Sequence, residues 1–412
     1  ENMVIYPHGA AARRPGTQYV AEVKTSANST RIIPFEFNTE QTYVLELGNL
    51  YMRFYRNNGQ ILEGNKTITA ITKANPGVIT CSSHGYLTGD EINISSIVGM
   101  TELNNKRFLV VKIDANTFSL TDVDGVAINT TNFTTYGSAG TMNRVFQITT
   151  TYTTAEIFDL KFAQSADVMY ITHPNHQTRK LSRTGHTTWT LDAVEFTNGP
   201  FLDTNVSTTT LTPASAGVGT GVNVTASAVA GVNGGSGFLT TDVGRQIRIG
   251  DGYGIITART NTTVVVVTVT TAFANANANT DWSLGAFSTT TGFPSCVSFF
   301  EQRLVFAASI NNPQTVYFSK SGDYENMDAN IGGTVADDDA IIYTIASNQV
   351  NAIRFLTSAR TLIIGTAGGE FVVSGGGDNN AVTPTNIMIK KQSNHGAANV
   401  DGISVGNATL FL

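Results

Sequence analysis

The sequence predicts an all-β protein: a β-propeller-like platform carrying two inserted small β domains. Three observations predict it. Only 14% of the 412 residues are charged, against about 25% in ordinary soluble domains. Gly, Thr, Asn, Ser and Val fill the difference, a mixture that suits turn-rich β structure and not long helices. Strand–turn–strand units with a shared apolar character recur along the chain, and two stretches of distinct composition interrupt them.

The elements follow in order. Tyr6 to Thr17 reads as a loop, because Pro7, Gly9, Pro15 and Gly16 punctuate it. Gln18–Lys24 alternates as a strand does, followed by Arg31–Phe37 and Thr42–Leu47. Leu50–Arg56 opens a hairpin whose turn is Asn57-Asn58-Gly59, since Asn-Gly favours the positive φ of tight turns. Related strands begin at Val168, Leu304, Leu362 and Thr409. In most of these units a second strand is readable after a turn, as at Lys180–Arg183, Val316–Ser319 and Glu370–Val373.

The spacing supports a radial repeat. Leu304 to Leu362 is 58 residues and Leu362 to Leu410 is 48, whereas the two earlier gaps are 118 and 136. Removing about 80 residues from each long gap leaves roughly 40 to 55, the length of a propeller blade. One small twisted sheet cannot bury both faces alone, so several pack around an axis.

The expected segments are therefore 1–63, the N-terminal segment and first propeller-like strands, and 64–143, a small inserted barrel or sandwich. Next come 144–202, blade-like, and 203–284, a second inserted β domain with a Gly/Thr/Ala-rich start. Residues 285–412 form the remaining blades. In the second insert the low-complexity run Ser207–Gly237 is either an extended arm or an ordinary sheet. Its Val264–Val267 run must be paired or covered to stay soluble.

The net charge is −6 and no basic block stands out, which argues against a surface that grips nucleic acid by neutralising phosphates. Cys81 and Cys296 fit neither a disulfide framework nor a zinc spacing, and are expected as buried free thiols. No apolar run approaches the ~20 residues of a membrane span, and no signal-peptide pattern is visible. The chain opens on Glu1 and stops inside a strand-like run, so further residues are expected at both ends.

Candidate chemistry is sparse. His173 and His176 have a ligand-like spacing, but Pro174 lies between them and a hairpin tip accounts for them. Asp337-Asp338-Asp339 lacks the alternating ligands and central Gly of a calcium loop and reads as a solvated turn. Glu370 follows Gly368-Gly369 in a hairpin and is expected to pair with an Arg or cap backbone amides. No nucleophile elbow, P-loop or dinucleotide fingerprint is present. The expectation is a non-enzyme with no catalytic residues, metal or cofactor.

Several strings resemble the tail nozzle (tail tubular or stabilization) proteins of short-tailed bacteriophages. They include Gly9–Thr17, Ile32–Phe37, Tyr43–Gly48, Met52–Tyr55, Ala166–Tyr170 with His173-Pro174, and Lys180–Arg183 before Trp189. Gln302–Ala307, Asn312–Gln314, Ser319–Tyr324 and Leu362–Thr366 with Glu370 continue the series. Within the first insert, Ile71–Pro76 and His84–Asp90 resemble a small β module of ubiquitin-activating enzymes, without their activation chemistry.

The nozzle resemblance implies a virion protein of the phage tail: a homohexameric ring below the portal and adaptor proteins. Such a ring encloses and gates the channel through which double-stranded DNA leaves without sequence-specific binding, and tail fibres are a further implied partner. Arg13 and Arg14, beside Pro and Gly, either dock carboxylates of a neighbouring subunit or the adaptor bidentately, or belong to a loop that packs on its own blade. The alternative is a host-glycan-binding receptor propeller, or a tail fibre or spike component. It predicts exposed aromatic platforms, whereas most Tyr and Phe here sit at alternating strand positions, as core residues do.

Overall fold

The computed structural model describes residues 2–38, 41–331, 333–346, 351–377, 380–405 and 408–412. The protein is all-β. Among the described residues it has only three-residue 3-10 turns besides strands, and no helix is long and apolar enough to cross a membrane. It divides into two compact units: Glu1–Ile157 with Thr184–Trp189, and Phe158–Arg183 with Thr190–Leu412.

The first unit opens on a two-stranded hairpin, Met3–Ile5 against Ala11–Arg13. The predicted loop over 6–17 is thus partly a strand. Gly9, at φ +87°, turns the chain between the two strands, and the Tyr6 amide donates to the Ala10 carbonyl at 2.8 Å. The expected strand Gln18–Lys24 does not form. Its alternation has no ladder to join, and the Lys24 amide turns to the Glu46 carboxylate instead, at 3.4 Å.

The first blade-like sheet follows, in the order Gln147–Thr149, Tyr51–Arg56, Thr42–Gly48, Arg31–Glu36, with Gly59–Gln60 added to Tyr51–Arg56. Its inward positions alternate as period 2 requires: Ile33 and Phe35 on one strand, Tyr43 and Leu45 on the next. Trp189 seals this face, edge-on to Phe35 at 4.9 Å and to Tyr43 at 5.3 Å, and tilted over Phe54 at 4.3 Å. Burying each such ring contributes roughly 1.5–3 kcal/mol.

Between Gly59–Gln60 and Gln147–Thr149 lies a seven-stranded sheet. Its order is Lys66–Thr67, Ser138–Arg144, Glu91–Val98, Lys106–Lys112, Thr117–Thr121, Val78–Thr80, Ala70–Ile71. The strand Ser138–Arg144 has no sequence counterpart among the expected ones, because its Ser, Gly, Thr and Asn carry no apolar alternation. It exists because it completes the ladder beside Glu91–Val98. The core holds Ile92, Ile94, Phe108, Val110, Phe118 and Met142. His84 is part of it: its Nε2 meets the Asp114 carbonyl at 3.0 Å and its Nδ1 accepts the Tyr86 amide at 3.0 Å.

Three four-stranded antiparallel meanders follow. They are Lys161–Ser165 to Thr188–Ala193, Cys296–Phe300 to Ile341–Thr344, and Ile353–Ser358 to Met388–Ser393. Their first strands lie side by side, the radial arrangement of propeller blades. The middle sheet shows the consequence. Every residue of Arg303–Ala307 is buried. Leu304 and Phe306 face one core with Tyr170 and Tyr317. Val305 and Ala307 face another with Phe318, Leu362 and Phe371. A strand covered on both faces must be apolar throughout, which is why Leu304–Ala307 reads as a continuous run. In the last sheet Gly365 is required, because a Cβ there would run into the Phe355 ring.

The second insert folds as one six-stranded sheet, so the low-complexity run is sheet and not arm. Its order is Leu211–Pro213, Gly219–Ala226, Val264–Thr271, Gly252–Arg259, Gln246–Ile249, Trp282–Leu284. The valine run is paired on both edges. The chain ends in a separate hairpin, Ile403–Val405 with Ala408–Leu410.

Candidate assembly surfaces and charged hubs

The N-terminal hairpin buries almost nothing. Met3, Val4, Ile5 and Tyr6 are 58%, 43%, 77% and 46% exposed, and Arg13 and Arg14 are exposed beside them. A lone two-stranded hairpin is at best marginally stable in water. Four consecutive exposed apolar residues are the signature of a surface made to be covered. Neither guanidinium has an ion-pair partner among the described residues. The predicted assembly residues thus sit at the base of an uncovered apolar arm.

A charged hub lies at the root of the first insert. Glu46, buried between Leu45 and Leu47, accepts hydrogen bonds from the hydroxyls of Tyr51, at 2.5 Å, and Tyr55. Burial, reinforced by the Glu46 carboxylate, pushes both phenols well above their ordinary range. Arg53 lies 5.5 Å over the Tyr51 ring, and Lys24 5.1 Å from it. Burial and then Arg53 hold the Lys24 ammonium below its usual pKa.

Arg53 crosses from the blade to the insert and meets Glu91 at 2.7 Å, with 1% of its side chain exposed. The contact is a close ion pair without the alignment of a good hydrogen bond. Arg107 meets the other oxygen of Glu91 at 2.9 Å. Arg144 clasps Asp90 at 2.9 Å and Glu63 at 2.8 Å, tying the closing strand to the segment that enters the insert. Sequence reasoning missed this hub. The available signal was a charge inside an apolar strand, Glu46 in Tyr43–Leu47 and Arg53 in Met52–Tyr55.

The structure places the other candidates as follows. His173 and His176 face each other in register at a hairpin tip, ring centres 5.0 Å apart, and His173 Nδ1 accepts the Asn175 amide. The Asp337–Asp339 run wraps an arginine. Its three carbonyls accept from the Arg303 guanidinium, and Asp339 is buried against Lys320 at 2.7 Å. It is thus only in part the solvated turn expected. Burial opposes the charge on Asp339, but Lys320 and the Ala336 amide outweigh it and hold the carboxyl below its usual range. Glu370 is buried and accepts the Ser393 hydroxyl, in place of the expected Arg or amides. Cys81 and Cys296 are buried free thiols, as expected, and burial pushes Cys296 up to about 11.

The second unit also carries a cleft of about 310 Å3 that sequence reasoning did not find. The half-buried rings of Phe196, Phe287 and Phe293 form its apolar lining. Phe196 and Phe287 stand 5.7 Å apart, and Phe287 rests edge-on against Tyr317 at 4.9 Å. Two polar groups border it. The Thr178 hydroxyl, 1% exposed, has no hydrogen-bond partner among the described residues. Glu195 is exposed and unpaired among them.

Residues 74–145 match the ubiquitin-activating enzyme E1 FCCH domain. The chain is also similar to ubiquitin-like modifier-activating enzyme 1 of Oryctolagus cuniculus, 37% identical over 82 residues, and of Homo sapiens, 35% identical over 82 residues. The match takes in 19% of this chain and 7% of the length of those relatives. The first insert is therefore similar to one module of that enzyme, and the rest of the chain lies outside the match. Among solved structures, the phage phi92 endosialidase aligns over 86% of this chain and 54% of its own at 11% identity. Its TM-score is 0.18, and a likeness of that order carries no argument.

Proposed function

We propose that this chain is a structural protein of a phage tail. In this reading, copies form a ring-shaped nozzle below the portal and adaptor, enclosing and gating the DNA exit channel. The observation that carries it is the N-terminal arm. The string most like a nozzle signature, Gly9–Thr17, leaves Arg13 and Arg14 exposed, and the strand just before it leaves Met3, Val4, Ile5 and Tyr6 uncovered.

The net charge of −6 with no basic block supports passage of DNA over gripping of it, because few clustered cations make few phosphate contacts. Arg53, Arg107, Arg144, Lys161, Lys180, Arg183, Arg245, Arg248 and Lys320 pair with carboxylates within the chain. The reading gives the chain no catalytic role and treats the first insert as a binding or decorative module. Native mass spectrometry of the purified chain tests it. Six-membered assemblies are expected, and a monomer at all concentrations would contradict the ring.

A further inference from the structure

The Phe196–Phe287–Phe293 cleft calls for an occupant with two properties. It must bring apolar side chains to lie on the rings and a cation for Glu195. A cleft of about 310 Å3 accepts one or two side chains, not a folded domain. The N-terminal arm has both. Val4, Ile5 and Tyr6 are exposed, and Arg13 and Arg14 lie just across the hairpin. In the single chain the arm is uncovered and the cleft is open.

We infer that the arm of one copy seats in the aromatic cleft of a second copy, with Ile5 and Tyr6 against the phenylalanines and Arg14 facing Glu195. The inference rests on the assembly reading above and names the contact that would build it. The occupant is a second copy, because apolar surface and opposite charge are both matched within one chain. A head-to-tail contact of this kind is heterologous and closes into a ring when its rotation permits.

Two measurements on the full-length chain test it. Ile5→Cys with Thr289→Cys, oxidised mildly, should give a ladder of disulfide-linked oligomers on a non-reducing gel, since both positions are exposed. The native thiols are buried and should not contribute. Separately, Arg14→Glu and Glu195→Arg should each weaken association roughly fivefold or more in sedimentation velocity, and the double variant should recover most of the loss. All three should keep the parent's thermal midpoint.

Oligomers that form without the ladder and without charge-swap recovery would overturn the arm–cleft contact and leave the ring reading standing. A disulfide formed only within monomers would show that a chain fills its own cleft, and would overturn the second-copy occupant. A chain that stays monomeric throughout would overturn both readings.

Discussion

The two inserts are fixed to their surroundings in different ways. The first is held through a shared hub, in which the blade's Arg53 reaches Glu91 of the insert while Arg107 takes the other carboxylate oxygen. The second keeps its main hub inside itself. Asp242 and Arg245 pair at 2.9 Å with both side chains fully buried, and the Asp242 carboxylate also takes Asn233 and the Leu239 amide. Arg245 to the Gly285 carbonyl and Thr290 to Asp242 reach the outgoing chain, and Gln246 ties the insert to Phe196 and Gly199 of the incoming chain. A shared hub couples an insert's orientation to its blade, whereas a closed hub stabilises the insert itself.

The largest effect expected from that difference is at the closed hub. Asp242→Ala strands a buried guanidinium and should cost about 3–5 kcal/mol. Hydrogen exchange should show the loss across residues 203–284, with the first unit unchanged. Arg53→Met should cost less, about 2–3 kcal/mol, because Arg107 still neutralises Glu91. Its signature should be faster proteolysis around residues 63–65, where the insert leaves the blade. Equal local damage from both variants would erase the distinction.

Tyr55→Phe removes one of the two hydroxyls on Glu46 and should cost about 1 kcal/mol in urea unfolding. A pH effect is expected at Asp339 in the second unit. The folded Asp339 carboxyl lies below its unfolded value of about 3.9. It therefore contributes stability above that value, and the contribution fades as pH falls through the lower folded value. Asp339→Asn should be destabilised at neutral pH, and its deficit against the parent should shrink toward pH 2. The smallest effect is at the arm: Arg13→Ala should leave monomer stability within about 0.5 kcal/mol.

Much of the fold was legible because it is written in local periodicity. Val264–Val267 had to be paired, and it is the interior of a six-stranded sheet. Leu304–Ala307 reads as continuous apolar because blades cover both its faces. Local pattern failed where a strand is made by its neighbours, as at Ser138–Arg144, and where alternation found no partner, as at Gln18–Lys24. Arg13 and Arg14 were legible as exposed charges beside Pro and Gly. Glu195 and Thr178 were not, because only the return of distant strands brings them to one cleft.

The central claim is that this chain is a ring-forming channel protein. The most direct test is its position in the intact virion by cryo-electron microscopy at side-chain resolution. Six copies around the DNA exit channel, beneath the adaptor ring and with their arms engaged, are predicted. Copies found only in a peripheral spike or fibre, away from that channel, would contradict the claim.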